Sequence, residues 1–210
     1  METKSKVGSG KVVLTALLSG LVLGVTARAW MRWISTDPGF SWSGTIFIVM
    51  AFTIFTSTQS IVFLLRKRFK GRKRTLLIRT AGVAFSLPLF TAAGAIMFPT
   101  VALASVGMWN TALGKRARGI LLFLSLVIPI KISIDLISDF GWTIGSFGKI
   151  LLFASIYILV IIATRPTMTP FRGENSEFVK MSKTKKIFLG GAVLSIGLLF
   201  LFLTVGITRS

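Results

Sequence analysis

Lys131 and Asp135 are opposite charges four residues apart inside an otherwise apolar run, Gly119 to Ile137. On a helix that spacing puts them on one face and within pairing distance. A charge in hydrocarbon is costly unless it is paired or wet, so such residues are the first candidates for function in a membrane segment. Pro129, just ahead of them, loosens the local helix and frees a backbone carbonyl. Counted from Gly119, Lys131 lies about 18 Å along the run and Asp135 about 24 Å. Arg28, counted from Val12 in the first apolar run, reaches a similar depth of about 24 Å, with Arg32 one turn further on. Arg28, Arg32, Lys131 and Asp135 could therefore form one intramembrane polar cluster with excess positive charge, able to receive an anionic ligand or a lipid headgroup. The plainer readings are that Asp135 neutralises Arg28 or Lys131 and locks two helices together, or that Lys131 snorkels to the interface.

A second group lies between Gly44 and Leu65. Thr53, Thr56 and Ser60 share a stripe at helical spacing, with Gln59 beside it. Such a stripe could line a polar path. Small polar residues within spans more commonly bond across helices or back to their own backbone, at about 1 kcal/mol or less each.

A third group is the basic run Arg66, Lys67, Arg68, Lys70, Arg72, Lys73 and Arg74. Its position between two apolar runs argues against nucleic acid. It favours contact with anionic lipid headgroups, at about 1 kcal/mol per basic residue near the surface. Orienting the chain would be its commonest role.

What is missing excludes much chemistry. The chain has no histidine and no cysteine, which removes the commonest general base, the commonest metal ligand and any thiolate. Clustered metal-binding aspartates are also lacking, because Asp135 is the one acid deep in a span. Gly8-Ser9-Gly10-Lys11 lacks the spacing of a phosphate loop. No enzyme activity and no cofactor are expected.

The elements that must hold these residues follow from composition. Of 210 residues 53% are hydrophobic and 15% charged, and mean hydropathy is +0.80. A soluble domain carries about 25% charged residues, interspersed rather than segregated. Here long apolar runs alternate with charged clusters, and a spanning helix needs roughly 20 mostly apolar residues. The reading is an all-α, polytopic integral membrane helical bundle forming a single domain over 1–210. Spans are expected at about 12–34, 44–65, 76–94, 97–113, 119–137, 147–164 and 187–207. The first also resembles a signal peptide, with a basic start and Ala27-Arg28-Ala29 as a small-x-small site. Gly20 and Gly24 favour an uncleaved helix that packs closely on a neighbour.

Residues 75–114 contain one charge, Arg79. As a single helix they would measure about 60 Å, twice the hydrocarbon core. They form either a hairpin turning near residues 94–99, giving seven spans, or one span with an interfacial segment, giving six. Cytoplasmic loops carry the excess of Lys and Arg. With seven spans and the N-terminus inside, all of the 25 basic residues except Arg28, Arg32, Lys131, Lys149 and Arg209 fall on the cytoplasmic side. Trp30, Trp33, Trp42 and Trp142 then sit at the outer boundary, where indoles are enriched. Six spans scatter the same charges nearly evenly, so seven is the expectation.

Two functional classes remain. One is a non-catalytic membrane subunit or assembly and lipid-interacting protein, whose partners are anionic headgroups at the cytoplasmic face and a protein partner or a second copy. The other is a small transporter, channel or permease component, which would need a wet cavity reaching Lys131 and Asp135. The expected location is a prokaryotic plasma membrane.

Overall fold

The computed structural model describes residues 9–35, 40–69, 71–92 and 97–170, without the side chains of Arg72 and Ala92. The span expected at 187–207, part of the hairpin turn expected near residues 94–99, residues 36–39, and Lys4, Lys6 and Lys70 lie outside the described residues. The described chain is helical: α1 Ser9–Ile34, α2 Trp42–Arg68, α3 Arg72–Ala84, α4 Leu87–Ala92, α5 Met97–Trp109, α6 Lys115–Ser125, α7 Val127–Phe140, α8 Ile144–Ala163 and α9 Arg165–Met168.

Among the described residues four stretches are long and apolar enough to cross a membrane: Ser9–Ile34, Trp42–Arg68, Lys115–Phe140 and Ile144–Ala163. Each matches an expected span. The expected spans at 76–94 and 97–113 take a different form. The first is broken into α3 and α4, and α5 has 13 residues, about 20 Å of helix.

Prolines account for the breaks. Pro88 has no N–H to donate, so α3 stops at Ala84, and the Ser86 N–H makes a tighter bond to the Val83 carbonyl at 3.0 Å. Pro129 likewise interrupts the ladder between α6 and α7. The carbonyl it leaves without a helical donor is that of Ser125, which the Tyr157 hydroxyl of α8 approaches at 3.2 Å. Pro166 ends α8 in the same manner. These three sites are corners in a chain that is otherwise regular.

Large apolar side chains face outward as well as inward. Val22, Ile46, Phe123, Leu151 and Trp142 are all exposed, a distribution a water-soluble monomer does not sustain. The interior is built around Phe52, Phe55, Phe90, Val101, Tyr157 and Ile161. Lipid is as apolar as leucine, so close packing and polar ties hold such a bundle together. Gly20 and Gly24 let α1 lie directly on α2: a Cβ at Gly20 would fall 2.6 Å from the Thr53 Cα, and one at Gly24 2.7 Å from the Val49 Cα.

The two ends of the bundle differ in composition. At one end, Lys11, Arg66 and Arg165 border a common groove. Arg165 there lies 5.2 Å from the Trp109 ring. Arg118 caps the last turn of α5 through the Gly107 and Met108 carbonyls at 2.8 and 2.9 Å. At the other end, the Trp30 indole donates to the Lys149 carbonyl at 2.8 Å, Trp33 lies against Gly148, and Trp142 and Phe147 rings are 5.9 Å apart. Successive long elements therefore alternate in direction.

Candidate functional site

The α8–α9 corner collects the polar groups of its neighbours. Thr164 and Thr167 flank Pro166 and are both buried. The carbonyl of Pro166 accepts from the Arg66 guanidinium. That of Thr167 accepts from Arg79 Nε at 2.7 Å. The Thr167 hydroxyl donates to Gln59 Oε1 at 2.5 Å. Gln59 Nε2 donates in turn to Ser86 Oγ at 3.0 Å, and Ser86 donates to the Gly82 carbonyl at 2.7 Å. Thr164 and Ser105 hydroxyls are bonded at 2.7 Å. Gln59 is 4% exposed, and both ends of its amide are satisfied, which a buried amide requires. One network thus joins α2, α3, the turn before α4 and α9, and a second bond joins α5 to the α8 corner.

Next to this corner, α1, α2 and α8–α9 enclose an open groove of about 910 Å³. Its rim is cationic, with Lys11, Arg66, Lys67 and Arg165. Thr15, Ser19, Thr56, Gln59 and Ser60 contribute polar groups to a lining that is mostly apolar, with Phe63, Ile162 and Ala163. Among the described residues no carboxylate lines it. From Lys67 to Thr56 the groove follows α2 for about 16 Å. Beyond Thr56 the interior closes around Phe52 and Phe55, the latter 1% exposed. Hydroxyls, one amide and a ring of cations suit an anion with an apolar attachment. They do not suit a metal cation, which needs carboxylate, imidazole or thiolate donors.

The stripe expected on α2 divides between ties and lining. Thr53 bonds back to the Val49 carbonyl at 2.8 Å. Thr56 donates across to the Ala16 carbonyl of α1 at 2.8 Å, and Ser60 donates to the Ser57 carbonyl at 2.8 Å. Thr56, Gln59 and Ser60 also border the groove. Of the basic run, Arg66 and Lys67 reach the groove, Lys67 with its ammonium 4.2 Å from the Phe63 ring. Arg68 and Arg74 lie over Phe69 at 6.0 and 5.9 Å, and Lys73 is exposed.

The four residues expected to form an intramembrane cluster are not gathered in one place. Lys131 and Asp135 pair with each other at 2.9 Å, with side chains 50% and 55% exposed. Arg28 donates instead to Thr45 at 3.1 Å, and Arg32 lies over Phe40 at 5.1 Å. The i,i+4 spacing on α7 satisfies the pair locally, so Asp135 has no need of a second helix. Sequence reasoning also left Lys149 as an ordinary residue of the outer end. It is 6% exposed, with its ammonium 3.0 Å from the centre of the Phe140 ring. Arg165, Thr167 and Ser86 went unremarked as site residues. The available signal was weak: the carbonyls that Arg66 and Arg79 meet, those of Pro166 and Thr167, are open because α9 ends at Met168, and the last carbonyls of a helix have no intrahelical donor.

No family model, no curated protein and no solved structure matches this chain.

Proposed function

We propose that the chain is a non-catalytic multi-pass protein of the plasma membrane, a subunit or assembly factor that engages anionic lipid, with seven spans and a cytoplasmic N-terminus. The observation that carries this reading is the division between the two ends of the bundle. Lys11, Arg66, Arg79, Arg118 and Arg165 gather at one end, while Trp30, Trp33 and Trp142 mark the other. A protein oriented by the positive-inside rule distributes its charges and indoles in this way. The short α5 and the broken α3–α4 serve as the fourth and third spans, tolerated because their freed backbone groups find partners within the protein.

A transporter would need a wet route to Lys131 and Asp135. The closure of the interior at Phe52 and Phe55, and the position of that ion pair on an exposed face, favour the non-transporting reading. The test is native mass spectrometry of the full chain purified in mild detergent. Retained anionic lipid or a stoichiometric protein partner is the expected result. A monomer carrying a small soluble anion, with neither lipid nor partner, would overturn the reading in favour of transport.

A further inference from the structure

We infer that the groove between α1, α2 and the α8–α9 corner is a specific site for one membrane lipid with a phosphoryl headgroup, taken up from the cytoplasmic leaflet. The inference rests on the orientation proposed above and goes further by assigning a binding site, its contacts and its ligand chemistry.

Three observations carry it. First, Lys11, Lys67 and Arg165 come from three separate helices to one rim and all three are exposed. Among the described residues, no acid in the lining neutralises them. Arg66 is committed to the Pro166 carbonyl and helps to hold that rim in place. Secondly, the lining beside these cations includes the Ser19 hydroxyl, while those of Thr15 and Ser60 donate to the Lys11 and Ser57 carbonyls. Ser19 is a donor that suits a phosphoryl or glycerol oxygen, which ion pairs alone would leave partly unsatisfied. Thirdly, the wall is apolar at Phe63 and Ile162, and α1 beside it exposes Leu14 and Leu18. A soluble phosphate would leave that surface bare, whereas the acyl chains of a lipid would cover it. A volume of about 910 Å³ lies near the top of the usual range for small-molecule sites, roughly 300–1,000 Å³. It has room for a headgroup and the first part of its chains.

The experiment uses the full chain in nanodiscs of phosphatidylcholine containing phosphatidylglycerol, followed by native mass spectrometry of the lipid retained per chain. The wild type should keep one phosphatidylglycerol in preference to phosphatidylcholine. The double variant Lys11→Gln/Arg165→Gln should weaken that retention by about 25-fold, at about fivefold per cation. Ser19→Trp, which fills the groove without altering charge, should abolish it. Lys115→Gln/Arg116→Gln removes the same charge from exposed positions outside the groove and should leave the retained lipid in place.

Equal losses in the groove pair and the control pair would overturn the site while sparing the broader lipid-binding reading. A wild type that does not distinguish the two lipids would overturn both. Because the chain has no cysteine, Ser19→Cys can carry a single photo-cross-linker. Cross-linking to phosphatidylglycerol is expected. Cross-linking to the chain's own residues 187–207, or displacement of the lipid by inorganic phosphate alone, would overturn the lipid as occupant.

Discussion

Lys131–Asp135 and Gln59–Thr167 are the two polar pairs that stand furthest apart in character. The first is conspicuous in the sequence and is formed between an acidic and a basic side chain within one helix, at 2.9 Å on an exposed face. The second is uncharged and buried. It spans more than a hundred residues of chain at 2.5 Å. The charged pair ties nothing to anything else, because both partners ride on α7. The amide pair joins α2 to the α8–α9 corner and, through Ser86, to the turn before α4. In a bundle where apolar burial against lipid supplies little driving force, connectivity decides which polar group matters.

The comparison can be broken at its strong side first. Gln59→Leu leaves the Thr167 hydroxyl without its acceptor and Ser86 without a donor in a dry interior. A loss of about 1–3 kcal/mol is expected, measured by reversible unfolding of the detergent-solubilised chain. A loss no larger than that of a surface variant would show that the network is incidental. A smaller effect is expected from Thr56→Val, which removes one bond from α2 to the Ala16 carbonyl and keeps the shape. About 0.6 kcal/mol is the typical size for such a tie in a membrane bundle. The smallest is expected from Lys131→Met/Asp135→Leu. Exposed i,i+4 pairs contribute about 0.3–0.5 kcal/mol in water, so this double variant should unfold within that margin of the wild type. A loss comparable to Gln59→Leu would mean that the α7 pair meets a partner and would reverse the comparison.

The same contrast explains what could be read from the sequence. The stripe of Thr53, Thr56 and Ser60, with Gln59 beside it, was legible because helical spacing is local, although Thr53 turned back to its own backbone. The four long spans were legible because length and apolarity are local. The basic end was legible from charge placement, although Trp109 also lies there beneath Arg165. The partners of Gln59 were not legible, since Ser86 and Thr167 lie 27 and 108 residues away and nothing near Gln59 points to them. The expected charged cluster failed for a related reason. Similar depth for Arg28 and Asp135 says nothing about which helices are neighbours, and α7 had already satisfied Asp135 within one turn. The prolines at 88, 129 and 166 were visible, and each frees the carbonyl four residues before it, but which group would meet that carbonyl depended on tertiary packing.

Sidedness is the premise on which the groove, its lipid and the seven-span reading all depend, and cysteine accessibility tests it directly. In a chain without native cysteine, Gly10→Cys and Gly114→Cys stand at the basic end, where a Cβ meets nothing within 4 Å. Ser43→Cys and Gly145→Cys stand at the indole end, at exposed positions. Intact cells treated with a membrane-impermeant maleimide should label Ser43→Cys and Gly145→Cys, and label Gly10→Cys and Gly114→Cys only after permeabilisation. Labelling of Gly114→Cys from outside, with Gly10→Cys still protected, would contradict the account and restore six spans.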